Sequence, residues 1–202
     1  MADKYSNFTE LSVNELVERD YRVRCENRKT PIVVIAPHGG WIEPGTSAIA
    51  TEIARDDLSL YLFEGLIPGR PHGDLHIKSH LFDEPVGVAL VEAAETAIAI
   101  HGRADNGDPS TIGLGGRDSV LGEAIASSLR QVNFEVARAS GDLAGQDRSN
   151  ICNRGSSEAG VQLELPRTLR DELLGDAARL RAFGDAIRNA IRAPISESLA
   201  GR

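Results

Sequence analysis

The segment Ile32-Val-Val-Ile-Ala-Pro-His38-Gly-Gly-Trp-Ile-Glu43-Pro-Gly-Thr46-Ser47 carries more structural information than any other part of this chain. Residues 32–36 are a continuous apolar run, which suits a strand buried on both faces of a sheet. The run ends on His38 and two glycines, which lack the Cβ that would hold a backbone away from a small site. Glu43 follows, and Pro44, Gly45 and Thr46 form the turn that opens a helix over 46–55. A strand-to-helix loop at the carboxyl edge of an α/β sheet is where such folds place ligands. A neutral imidazole and a carboxylate are ordinary zinc ligands.

Outward from this segment, strand and helix patterns alternate. Toward the amino terminus, Ser12-Val-Asn-Glu15 fits a capping box and predicts a short helix over 12–18. Tyr21–Glu26 alternates apolar and polar residues, as an edge strand does. Toward the carboxyl terminus, residues 58–63 read as a strand, 75–77 as a very short one and 85–94 as a helix. Residues 97–100 form a buried strand that ends on His101-Gly102, and 103–110 a polar loop. An amphipathic helix over 117–131 and a strand over 134–137 follow. Leu114-Gly-Gly116-Arg-Asp118 lacks the spacing of a phosphate loop and reads as a tight strand-to-helix turn.

Residues 140–160, rich in Gly, Ser, Asp and Asn, form an irregular stretch whose length points to function. A strand over 161–165 and one or two closing helices over 168–198 complete the chain. The alternation predicts one α/β sandwich domain over residues 1–202, with a mixed, largely parallel sheet.

Composition bounds the function. At 202 residues, 41% apolar and 26% charged, the chain can bury one sizeable core. No apolar run approaches the ~20 residues of a membrane span. The polar start lacks the apolar core of a signal peptide, so the expected compartment is the cytoplasm, with release on lysis. A net charge of −8 argues against nucleic-acid or anionic-membrane partners. Cys25 and Cys152 stand in no metal or redox spacing and read as reduced thiols. The chain is expected to be a monomer.

Five histidines are present, and His38 and His101 share one context: each ends an apolar strand and precedes glycine. Two strand ends on one edge of a parallel sheet bring them together across 63 positions, and Glu43 completes a His₂Glu set with a fourth zinc position open to water. Glu164 alternates with Gln162 on an otherwise apolar strand, where a carboxylate needs a partner or a task; general base is the task predicted. Among Arg117, Arg148, Arg154, Arg167 and Arg170, Arg154 is the preferred substrate-carboxylate or oxyanion contact, with Arg117 or Arg167 beside it. His76 is a candidate substrate contact or proton shuttle, while His72 and His80 read as exposed.

These motifs resemble the poly-γ-glutamate hydrolase family of bacteriophages and bacteria. The resemblance rests on Asp20-Tyr-Arg-Val-Arg, Ala36-Pro-His-Gly-Gly-Trp-Ile-Glu-Pro-Gly-Thr-Ser, Tyr61-Leu-Phe-Glu-Gly and Leu75-His-Ile-Lys-Ser. Phe82-Asp-Glu-Pro, Ile100-His-Gly, Asn150-Ile-Cys-Asn-Arg-Gly and Gly160-Val-Gln-Leu-Glu-Leu-Pro-Arg continue it in order. It implies a zinc carboxypeptidase-like fold, one zinc per chain on His38, Glu43 and His101, and Glu164 as general base. The implied activity is hydrolysis of γ-glutamyl amide bonds. Two departures are Trp41, at a variable position, and Lys78, where the family pattern has Thr.

The function expected is therefore metal-assisted hydrolysis of a γ-glutamyl polymer. A zinc amidohydrolase acting on N-acyl amino acids or cell-wall peptides is the nearer alternative, and a non-catalytic, metal-stabilised binding protein the farther one. The acidic net charge sits awkwardly with a polyanionic substrate unless the arginines form a local positive groove.

Overall fold

The computed structural model describes residues 3–192. Its elements run α1 (Phe8–Asn14), β1 (Tyr21–Glu26), β2 (Ile32–Gly40), α2 (Thr46–Ala54), β3 (Ser59–Gly65), α3 (Pro85–Glu92) and β4 (Thr96–Arg103). Then follow β5 (Ile112–Gly115), α4 (Ser119–Gln131), β6 (Val136–Arg138), β7 (Val161–Pro166), α5 (Arg167–Gly175) and α6 (Ala177–Arg192). The strands form one sheet in the order β1-β3-β2-β4-β7-β5-β6. Only the β1–β3 and β5–β7 pairs are antiparallel, so the sheet is mixed and largely parallel, as the alternation predicts.

The central strand β2 shows how the sandwich is built. Val34 and Ala36 join the core beneath α2, α4, α5 and α6, while Val33 and Ile35 face Tyr61, Phe63, Phe82 and Leu90 on the side of α1 and α3. Successive residues of a strand point to opposite faces, so a run apolar at every position has to be covered on both. The single domain is an α/β sandwich with two apolar layers. Among the described residues, no helix is long and apolar enough to cross a membrane.

Two local expectations are corrected, and one strand appears that the sequence did not announce. The first helix starts at Phe8, not Ser12: Asn7 caps it by accepting from Glu10 N–H at 2.8 Å. Ser12 instead donates to Thr9 O, and Glu15 turns inward to Lys4 and Tyr5, so the apparent capping box is used for tertiary contacts. Residues 75–77 are not a strand; they follow a 3-10 turn over His72–Asp74, and Leu75 and Ile77 are buried without sheet pairing. Strand β5 escapes sequence reading, since two of its four residues are glycines and it is defined by pairing with β7 and β6. Closing helices do cover 167–192, and the remainder of the predicted 168–198 span lies outside the described residues.

Candidate active site

Strands β2, β4 and β7 run parallel, so their carboxyl ends share one edge of the sheet. His38 lies near the end of β2, His101 near the end of β4, and Glu164 is the register partner of His101 on β7. Beyond Ala36 the register of β2 shifts against β3, and the chain turns sharply at Gly40, whose φ is +61°. A Cβ there would lie 2.3 Å from Gly65 O, so the turn admits only glycine. Glu43 N–H then donates to His38 O at 2.9 Å, which folds the loop back and brings the carboxylate over the imidazole.

All three groups are buried. His38 Nδ1 lies 3.2 Å from His101 Nδ1 and 3.2 Å from Glu43 Oε1, and His101 Nδ1 lies 3.7 Å from Glu43 Oε2. His38 Nε2 is 2.8 Å from Ile77 O, a contact the ring makes only as donor; a neutral His38 therefore turns the lone pair of Nδ1 toward the other two groups. Donors bound to one tetrahedral zinc at ~2.0–2.1 Å stand about 3.3–3.4 Å apart. The spacing, the tautomer and the His₂Glu chemistry all fit such an ion. His76 also has a ligand atom within 4.8 Å of His38 and Glu43.

The surroundings set the charges. Burial alone would raise the Glu43 carboxyl, but His38 when protonated, with hydrogen bonds from His101, His38 and His72, holds it well below the usual range. Burial pushes His101 down, and the contact with Glu43 with the charges of Glu164 and Glu43 more than reverse this. Burial, then the nearby Glu43 charge, raises Glu164. Gln162 Nε2 donates to Glu164 Oε1 at 2.7 Å, and Asn150 Nδ2 donates to Gln162 Oε1 at 3.0 Å, so the carboxylate is oriented through a buried amide relay. Burial and the charge of His38 push His76 down to about 2, which keeps that ring neutral.

These groups open into a cavity of about 880 Å³. His38, Glu43, His101, Glu164, His76 and Arg167 all line it. Arg117 and Arg154, the latter preferred from the sequence, do not. Arg154 Nε donates to Ser149 O at 2.7 Å, and its charge faces Glu92 and Asp83. Arg117 donates to the carbonyls of Glu158 and Gln146. A Gly- and Asn-rich loop exposes carbonyls as readily as it exposes a ligand, and in both cases the guanidinium went to those carbonyls.

Sequence reasoning missed two residues. His72, exposed as expected, nevertheless lines the cavity with Nε2 3.7 Å from Glu43 Oε1; its four-residue spacing from His76 was the available signal. Arg170, one of five arginines noted, is buried and donates to Pro44 O at 2.5 Å, Arg103 O at 3.2 Å and Leu165 O at 3.2 Å. Its guanidinium lies against Gly102, where a Cβ would come within 2.5 Å of Cζ. Gly102 N–H in turn donates to Glu43 Oε2 at 2.7 Å.

The structure superposes on that of a bacteriophage poly-gamma-glutamate hydrolase with a TM-score of 0.88, at 28% identity over 94% of this chain and 97% of the other. It superposes on the zinc-free apo form of YndL with a TM-score of 0.82, at 31% identity over 94% and 98% of the two chains. The fold is thus the α/β sandwich of a hydrolytic enzyme class. The sequence model of the poly-gamma-glutamate hydrolase family matches residues 5–183, and the chain belongs to that family. Among its relatives is the SPbeta prophage-derived UPF0714 protein YoqZ of Bacillus subtilis (strain 168), 39% identical over 175 residues. The match takes in 85% of this chain and 62% of YoqZ, less than two thirds of the relative's length.

Proposed function

We propose that this chain is a zinc-dependent hydrolase of γ-glutamyl amide bonds, acting on poly-γ-glutamate with one ion per chain. The observation that supports it best is the convergence of His38, Glu43 and His101 at 3.2–3.7 Å, beside Glu164 in register with His101. Those three residues would hold the ion. Zinc bound there supplies Lewis-acid polarisation of an amide carbonyl and a water acidified toward pKa ~7. Glu164 is the general base: it takes a proton from the attacking water and delivers it to the leaving amine. Its raised pKa suits both halves of that transfer, and Gln162 holds the Oε1 side so that Oε2 is left for the proton. Arg167 and His76, which face the cavity, are the substrate contacts we retain.

The relatives support the substrate: one is a poly-gamma-glutamate hydrolase and another has a form described as zinc-free. A shorter γ-glutamyl or N-acyl amide is the second reading, favoured by the net charge of −8, which repels a polyanion at low salt. At the cavity Lys78, Arg103, Arg167 and Arg170 are matched by Glu43, Asp142, Asp147 and Glu164, so the lining does not reverse that repulsion. The test is hydrolysis of poly-γ-glutamate against poly-α-glutamate, before and after chelation and with zinc restored. Cleavage confined to the γ-linked polymer, lost on chelation and regained with zinc, is expected. Activity indifferent to chelation would end the zinc reading; preference for a short amide would move the substrate to the second one.

A further inference from the structure

His38, Glu43 and His101 account for one set of donor atoms, and a neighbouring set lies outside it. His72 and His76 are joined through the 3-10 turn, and His76 N–H donates to His72 O at 3.3 Å. The rings therefore lie on the same side of the chain, with centroids 4.4 Å apart and planes inclined by 32°. His76 Nδ1 lies 2.9 Å from Asp3 Oδ1. Ligand atoms of Asp3, His72 and His76 all fall within 4.8 Å of one another.

Asp3 is held in position. Lys4 N–H donates to Gly73 O at 2.7 Å, on the turn that carries both histidines. Lys4 Nζ and Tyr5 Oη donate to Glu15 Oε1 at 3.0 and 2.6 Å. The carboxylate is thus presented by a segment tied to the imidazoles' own turn. An Asp3–His76 hydrogen bond alone would explain two of the groups, but not why the half-exposed His72 ring packs on His76.

We propose that Asp3, His72 and His76 form a second divalent-cation site at the cavity mouth, separate from the inner His38, Glu43 and His101. Two imidazole nitrogens and a carboxylate oxygen favour Zn²⁺, Cu²⁺ or Ni²⁺ over Mg²⁺ or Ca²⁺. The exposed side of His72 leaves coordination positions for water. This outer site is the weaker of the two: the His76 ring is centred 4.1 Å from that of His38, so an ion in the inner site repels one outside it. Its occupation would fasten residues 3–5 to the rim through which substrate enters.

The test measures metal content of the full chain equilibrated against buffered free zinc. Wild type is expected to bind two ions, and Asp3→Asn and His72→Asn one each, with the tighter ion retained. Copper added to the chain loaded with one equivalent of zinc should give an electron paramagnetic resonance signal split by two nitrogens, which His72→Asn loses. A wild type that stops at one ion, as it would if His76 served the inner site, overturns the proposal. So does a second ion that survives in both variants. His38→Asn separates the two sites: an ion that this variant keeps and Asp3→Asn removes upholds the outer site even where the inner zinc reading fails.

Discussion

Glu15 and Glu43 are carboxylates of nearly equal burial, 5% and 6% exposed, yet their surroundings differ in kind. Glu15 Oε1 meets Lys4 Nζ at 3.0 Å, Tyr5 Oη at 2.6 Å and Arg70 Nη2 at 2.7 Å, and each of these brings a proton. Glu43 instead faces the Nδ1 atoms of two imidazoles, and His38 has already committed its other nitrogen to Ile77 O. Burial penalises both charges, and the distinction lies in whether the partners are fixed donors or imidazoles that can turn a lone pair toward a cation. A carboxylate among donors is a structural anchor. One that shares its pocket with two imidazoles is, on the function proposed, a ligand to a cation.

The largest expected effect comes from removing a lone pair. His101→Ala should lose both zinc and detectable hydrolysis, read by elemental analysis and a viscosity assay on the polymer; a variant that keeps both would erase the distinction. Glu164→Gln should keep the metal and lose activity by about 10²–10⁴-fold. Full activity in that variant would remove Glu164 from catalysis. Gly102→Ala acts at one remove, since its Cβ must displace Arg170 or the Gly102 N–H that orients Glu43. Zinc affinity should fall by roughly 10–100-fold, as for other losses of ligand support, and competition with a chelating dye would measure it.

The smallest effect on activity belongs to Glu15→Gln, expected to leave turnover unchanged while destabilising the fold by about 1–3 kcal/mol. Burial would raise the Glu15 carboxyl, but hydrogen bonds from Tyr5, Arg70 and Lys4 outweigh it and leave it below its ordinary 4.5. The folded value is the lower one, so this stabilisation is complete above the unfolded value and disappears as pH falls through the folded one. Thermal melts across acid pH should therefore slope less in Glu15→Gln than in wild type; parallel slopes would mean that Glu15 is no anchor.

How much of this was legible in the sequence follows from where the information sits. The β2 run of 32–36 and the shared strand-end context of His38 and His101 are local patterns, and the parallel sheet converts them directly into proximity. Glu164 was visible because a charge interrupts an apolar strand. Arg170 was not, because nothing in Arg167–Gly175 says that one arginine of an amphipathic helix turns inward to the carbonyls of Leu165, Arg103 and Pro44, the last two far off in sequence. Glu15 misled for the same reason: its capping spacing is local, while Tyr5 and Arg70 are brought to it by the fold. Strand β5 depends on a partner that follows it by some fifty residues in sequence.

The guanidinium of Arg170 also bears on biosynthesis. It clasps Pro44 O across a separation of 126 residues, and with it the loop that presents Glu43. While the ribosome is still making the middle of the chain, that loop has no brace from α5. The candidate centre can take its final shape only after Arg170 has emerged, so nascent products that stop short of it should be inert.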